Sequence, residues 1–325
     1  MDKRMTAPKD VTEFDITIAV PTYNGARRLP KLFEHFKAQI AIENIRWEIL
    51  IVDNNSRDNT KTVVQEYQAD WLPQVPLRYV QETQQGAAFA RQKAVKEARG
   101  KLIGFIDDDN LPDPNWVAEA VAFGVRHPNA GAFGSRIDAH CEVTPPEGFE
   151  QIKAFLAIRN HGSKVMEFDP DSLRLPPAAS LVVRKQAWLD CVPQHSFLSG
   201  KLPGLFIQGD DYEPLLFIHK NGWKILYDPH LRTIHQIPKE RLERDYLLTL
   251  AKGCGLATCQ LCLIKAQHSW YKPILVLRTI IGSSKRLIQH ILKYRFQARK
   301  DLAVAAQFEF HLGSLLSPLY IRRWS

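Results

Sequence analysis

The chain has 325 residues, 45% of them apolar and 24% charged, with a formal net charge of +8. Such proportions belong to a globular protein and exclude disordered, collagen-like and disulfide-framed chains. A mean hydropathy of −0.25 excludes a bundle of membrane spans, and the charge excess is all C-terminal, because residues 272–325 hold ten Lys or Arg against Asp301 and Glu309.

The first fifteen residues are polar and lack the apolar core of a secretory leader, so a cytoplasmic chain is expected. Residues 16–20 are apolar and stop at Pro21, the pattern of a buried strand. A helix is predicted over 26–41, where Leu29, Leu32, Phe33, Phe36 and Ile40 recur at helical spacing. Strands at 48–52, 77–80 and 102–106 alternate with helices at 60–67 and 85–99, and Pro114 is expected in the first turn of a further helix. This alternation predicts a mostly parallel sheet covered by helices on both faces. From 131 to 238 the pattern is less regular, with strands at 179–183 and 224–227 and a helix at 212–220. Beyond Pro238 it turns helical, which divides the chain into a sheet-based domain over 14–240 and a basic helical extension over 241–325. The most membrane-like window, 273–282, is too short to span a bilayer and contains Arg278. A zinc site at Cys254, Cys259 and Cys262 would need a fourth ligand such as His268; free thiols are the expectation for the odd count of five cysteines.

In an open α/β sheet, ligands bind outside the carboxyl ends of the strands. Four predicted strand ends carry Pro21-Thr22-Tyr23-Asn24, Asp53-Asn54-Asn55-Ser56, Gln84-Gln85-Gly86 and Asp107-Asp108-Asp109. Parallel strands would bring them to one rim, although any one alone also reads as a solvated turn or helix cap. The three adjacent Asp are the sharpest signal. They repel one another unless a cation neutralises them, and hard oxygen ligands suit Mg²⁺ or Mn²⁺ beside a substrate phosphate. Alternation sends Asp107 and Asp109 to the same side. A single glycine after the first strand, and no G-x-x-x-x-G-K-[ST] run, disfavour dinucleotide-binding and P-loop enzymes.

Five motifs in order, over about residues 14–240, resemble the family 2 glycosyltransferases of GT-A fold. They are residues 18–24, Asp53 to Ser56 with Asp58-Asn59-Thr60, Gly86 with Ala90-Arg91, Phe105 to Asp109, and Gly209-Asp210-Asp211-Tyr212-Glu213. A looser resemblance is to the cyanobacterial hormogonium-polysaccharide branch. The resemblance implies metal-dependent, inverting transfer of a sugar from a nucleotide diphosphate, most often UDP, to a glycan or lipid-linked glycan in polysaccharide biosynthesis. It implies that Pro21, Thr22, Tyr23, Asp53, Arg91, Asp107 and Asp108 hold the nucleotide sugar. Asp109 and His235 would hold Mn²⁺ or Mg²⁺, and Asp211 would be the base beside Asp210 on the acceptor side. Two motifs depart from the family pattern: Asp-Asp-Gly-Ser stands here as Asp53-Asn54-Asn55-Ser56, and Glu-Asp as Asp210-Asp211. By themselves, His235 also reads as a structural histidine and Asp210-Asp211 as a helix N-terminus.

Other classes fit less well. A sugar-phosphate nucleotidyltransferase would carry a Gly-rich basic loop, of which Asn24-Gly25-Ala26-Arg27-Arg28 is a poor version. A non-catalytic carbohydrate-binding protein would have no use for two carboxylate sites, and the basic tail shows no nucleic-acid reading motif, so no nucleic acid is expected as partner. Within 271–296, apolar residues such as Ile274, Leu277, Ile281, Ile288 and Leu292 are flanked by Lys and Arg. This predicts two short helices, broken at Gly282-Ser283-Ser284, either peripheral at the anionic inner face of the plasma membrane or packed on the domain with their charges in water.

Overall fold

The computed structural model describes residues 14–198, 201–202, 205–266, 268–295, 297 and 300–321. The polar start over 1–13, the end of the 271–296 stretch at Phe296, and Arg299, Arg322 and Arg323 of the basic tail lie outside the described residues.

Four strands open the fold, β1 (Phe14–Thr22), β2 (Trp47–Asp53), β3 (Leu77–Gln81) and β4 (Gly100–Ile106), joined by helices α1 (Leu29–Lys37), α2 (Thr60–Ala69) and α3 (Ala87–Glu97). All are parallel, in the order β3-β2-β1-β4. Ile16, Ile18 and Val20 pack with Leu29 and Phe33 on one face, while Ala19 joins Ala90, Ala94 and Phe105 on the other. A strand covered on both faces needs apolar side chains at every position, hence the unbroken apolar runs.

The remaining sheet is mixed. After β5 (Asn110–Pro112) and α4 (Trp116–Arg126) come β6 (Ala130–Cys141), α5 (Phe149–Ile152), β7 (Met166–Glu167), β8 (Ser180–Arg184) and α6 (Lys185–Cys191). A small ribbon of β9 (Lys201–Leu202) and β10 (Leu205–Phe206) precedes α7 (Tyr212–Lys220) and β11 (Lys224–Ile237). β8 lies antiparallel between β4 and β6, β11 is parallel to β6, and β5 and β7 pair antiparallel with β11. β6 is missing from the sequence reading because Gly131 and Gly134 dilute its apolar alternation. Gly134 is required there, since a Cβ would lie 2.3 Å from Pro176. β11 runs well past the predicted 224–227, carrying Pro229 through an irregularity between Asp228 and Arg232 where a missing N–H breaks no ladder. α4 begins at Trp116, so Pro114 sits in the preceding turn and not in the helix.

The chain closes with α8 (Arg244–Leu256), α9 (Thr258–Ile264), α10 (Lys272–Tyr294) and α11 (Leu302–Leu316). α10 is a single helix of 23 residues, not two. Ser283 is fully buried at its middle, so packing outweighs the weak helix propensity of Gly282-Ser283-Ser284. Leu247, Leu250, Leu302 and Ala306 share a cluster with Phe149 and Ile152, and Ala257, Leu261 and Ile264 join the sheet core. The stretch Arg244–Ile264, not 273–282, is long and apolar enough to cross a bilayer by length and composition; 61% of its most apolar window is buried within the fold. All five cysteines are free, and no group of three or more His, Cys, Asp or Glu suited to a metal occurs among the described residues.

Candidate active site

The parallel register aligns Pro21 with Val52 and Thr22 with Asp53 at the carboxyl edge. Past this edge the two loops are stitched together: Asn24 N–H donates to Ser56 Oγ at 2.9 Å, and Arg57 N–H to Asn24 Oδ1 at 2.8 Å. Asn24 and Asn55 adopt φ of 51° and 66°, a left-handed conformation that Asn tolerates better than most residues. Asp53 is buried and accepts from Ser56 N–H at 2.9 Å and from the Tyr79 hydroxyl at 2.7 Å. Burial and Asp53 push the Tyr79 hydroxyl pKa up, so it stays a donor. A carboxylate has about four acceptor positions, so Asp53 keeps capacity toward the rim, where Tyr23 is 41% exposed. The substituted Asn54 is a clasp. Its Nδ2 donates to Gln84 O and its Oδ1 accepts from Gly86 N–H, both at 2.7 Å; an Asp could not make the first bond.

Two carboxylates of the triple Asp are each paired with an arginine, Asp108 with Arg28 and Asp109 with Arg241, and Asp107 lies in the field of Arg91. Asp108 points to Arg28, whose Nε and Nη2 both reach it at 2.8 Å, and accepts from Thr22 Oγ1 at 2.5 Å. Gly25 makes room for this clasp, since a Cβ there would lie 2.0 Å from Thr22 Oγ1. Asp109 meets Arg241 Nη1 at 2.7 Å. Asp107, half-buried, faces Arg91; burial raises its pKa, the Arg91 charge opposes that, and Asp109 adds to it. Burial works against ionised Asp109 too, but His235 in its charged form and Arg241 hold it well below the usual carboxylate range. A cavity of about 360 Å³ opens beside Asp108 and Asp109, with Arg27, Lys31, His140 and Arg241 in its wall.

Pairing of β5 with β11 sets His235 opposite Asn110 and places it beside Asp109. His235 Nδ1 meets the Leu156 carbonyl at 2.9 Å and must donate to it. In the neutral imidazole that leaves a lone pair on Nε2, which sits 3.2 Å from Arg241 Nη1 and 3.6 Å from Asp109 Oδ1. A carboxylate oxygen and an imidazole nitrogen are donors that Mn²⁺ accepts, and the carbonyl-anchored imidazole is the usual support of a metal-bound histidine. In donor chemistry Asp109 and His235 fit a divalent cation, with Arg241 standing against both in this structure.

The acceptor-side pair stands at the start of α7. Arg91, buried on α3, binds Asp210 Oδ2 through Nη1 at 2.5 Å, and its Nε has no hydrogen-bond partner among the described residues. Asp211 is the residue that caps α7, yet its side chain makes no capping bond; its Oδ2 accepts weakly from Ala178 N–H at 3.4 Å. Burial and the neighbouring Asp210 charge push Asp211 up to about 6. Ala178 and Ala179 tie the two motifs together, because Asp107 N–H donates to Ala179 O.

The profile described as Glycosyl transferase family 2 matches residues 17–180, half of the chain. The chain belongs to glycosyltransferase family 2. Among its relatives, Glycosyltransferase AglE of Haloferax volcanii is 25% identical over 166 residues, covering 47% of this chain and 51% of that protein. The glucosyl-dolichyl phosphate glucuronosyltransferase of the same organism is 21% identical over 249 residues, 74% of this chain and 76% of the other. The chain spans about half or less of the length of AglE and of the next relatives in similarity. Mannosyltransferase PcManGT from Pyrobaculum calidifontis, solved in complex with GDP-Man and Mn²⁺, superposes with a TM-score of 0.58 at 18% identity, covering 97% of this chain and 90% of that one. Residues 1–349 of S. aureus TarS, solved with UDP-GlcNAc, give 0.51 at 14% identity, covering 94% and 92%. These likenesses show the GT-A fold.

In this family 2 glycosyltransferase, contacts link several of the residues singled out from the sequence: Thr22 with Asp108, Asp109 with His235, and Arg91 with Asp210. Four partners escaped the sequence reading: Arg28, Tyr79, Asn54 as a clasp, and Arg241. Arg28 had a signal, since it belongs to the loop weighed against nucleotidyltransferases, but its fork is committed to Asp108. Arg241, in a 3₁₀ turn after Pro238, had none.

Proposed function

We propose that the chain transfers a sugar from a nucleotide diphosphate, with UDP the first candidate carrier, to a hydroxyl of a glycan or lipid-linked glycan, with inversion at C1. The observation that supports this most is Arg91, set between the donor-side Asp107 and the acceptor-side Asp210 and Asp211. A single buried cation joins two carboxylate sites that a mere binding module would have no reason to bring together.

Asp53 offers its remaining acceptor positions to the base, Tyr23 offers an exposed ring, and Asp107 faces the ribose. Pro21 and Thr22 set that edge, and Asp108 keeps Thr22 and Arg28 in place beside the nucleotide sugar it is expected to help hold. Arg91, held by Asp210, would bring its positive charge to the departing diphosphate and stabilise it. Asp109 and His235 would hold Mn²⁺ or Mg²⁺, and the bound ion would supply Lewis-acid stabilisation of that same charge. Arg241 neutralises Asp109 in this structure. Asp211 accepts the proton of the attacking hydroxyl; a pKa near 6 leaves it ionised at neutral pH while keeping useful basicity. One base acting across the sugar from the leaving group gives a single displacement and therefore inversion.

Thermal unfolding with UDP- and GDP-sugars, each with and without Mn²⁺, tests the reading. A ligand that binds only the folded chain raises Tm, and the expected result is a rise that needs both nucleotide sugar and Mn²⁺. No rise with any pair would count against it.

A further inference from the structure

α10 is built inside out. Its buried residues are polar, Thr279, Ser283 and His290, with Thr279 Oγ1 donating to Leu275 O and the His290 ring meeting Val304 O of α11 at 3.0 Å. Its apolar residues face water. Ile274, Leu277, Ile281, Ile288 and Leu292 are 42–70% exposed. At 3.6 residues per turn these five fall within about 60° of one another, roughly opposite the buried polar three. A helix packed on a water-soluble domain has the reverse polarity. Arg278, Lys285, Arg286 and Lys293 are exposed along one flank of the stripe, and no Asp or Glu occurs between Asp245 and Asp301. At the N-terminal end stands Trp270, 70% exposed, a residue suited to the headgroup level of a bilayer.

We infer that α10 is a membrane-docking helix that lies in the headgroup plane of a bilayer containing anionic lipid, its stripe among the acyl chains and its basic flank on the phosphates. Charge complementarity selects this occupant. A second copy of the chain would set the same cations against each other along paired α10 helices, whereas an anionic bilayer satisfies the stripe and the cations together. α9 packs against α10 on one side, and on the other its Leu261 lies against Gly209, the residue before Asp210. One helix layer thus separates the bilayer from the acceptor-side carboxylates. The inference rests on α10 and does not depend on the transferase reading.

Flotation of the full chain with vesicles of phosphatidylcholine alone, or with about one-third phosphatidylglycerol, at ~0.05 M and ~0.5 M salt, tests it. The chain is expected to float with the anionic vesicles at low salt. Combined Leu277→Gln, Ile281→Gln and Ile288→Gln, all at exposed positions, should weaken partition by about a hundredfold. Lys285→Glu with Lys293→Glu should weaken it about tenfold at low salt and little at high salt. The inference is overturned if the full chain stays in buffer beside anionic vesicles at low salt, or if the triple variant floats as well as the unaltered chain. A chain that ignores vesicles but sediments as a dimer, dissociated by the triple substitution, would make the stripe an interface between copies and also overturn it. Nucleotide-sugar binding by the same variants is expected to be unchanged, which keeps this test separate from that of the transfer activity.

Discussion

Asp210 and Asp211 are neighbours with opposite situations. Asp210 is neutralised directly by Arg91, whereas Asp211 has only a long backbone bond and a pKa of about 6. As a base it works ionised, so the transfer rate should climb as pH passes about 6 and level off above. Its effect on stability has the opposite sign. The folded chain holds this proton more tightly than the unfolded chain, so the group's contribution is full below the unfolded carboxylate value and is lost as pH rises through about 6. Asp211→Asn should therefore reduce turnover by about 10²–10⁴-fold yet raise stability at pH 8, by on the order of 1–2 kcal/mol. Parallel pH–rate and thermal-unfolding profiles check this, and a variant that is both inactive and less stable would argue for a structural role. At this scale the sequence made the carboxylates visible but not their partners. The repulsion within Asp107-Asp108-Asp109 reads as a demand for a metal; Arg28, Arg91 and Arg241 answer much of it, and only the folded register brings them there.

At the scale of elements, α8 and α11 approach through two glycines. A Cβ on Gly255 would lie 2.3 Å from Phe310 O, and one on Gly313 would lie 2.4 Å from Lys252 O. Backbone cannot step aside as a flexible side chain can. Gly313→Leu should therefore force the helices apart and cost roughly 1–3 kcal/mol or more, read as a lower urea midpoint, whereas Gly282→Ala within α10 should be neutral or stabilising, because its nearest neighbour is the movable end of Arg286 at 3.4 Å. Equal effects of the two changes would contradict this packing. The parallel strands were legible because burial on both faces leaves unbroken apolar runs. β6 and the outer part of β11 were not, because glycines and alternating polar residues blur their pattern. The continuity of α10 was hidden for a related reason: it depends on Ser283 packing inward, a tertiary contact that local propensity cannot register.

For the whole molecule, the charge is segregated and the packing is not. Residues 1–271 are electrically balanced and the basic excess lies from residue 272 onward, yet the cluster that holds Phe149 and Ile152 also holds Leu247 and Leu302. A boundary at residue 240 follows the change from strands to helices, and a buried cluster crosses it, so the two parts pack into one body. The central claim is that this body carries a metal-assisted donor site distinct from its base. The most direct test is calorimetric titration of a UDP- or GDP-sugar, with and without Mn²⁺, into the unaltered chain, Asp109→Asn and Asp211→Asn. Mn²⁺-dependent binding should persist within a few-fold in Asp211→Asn and fall away in Asp109→Asn. Binding that survives Asp109→Asn unchanged, or collapses with Asp211→Asn, would contradict the account.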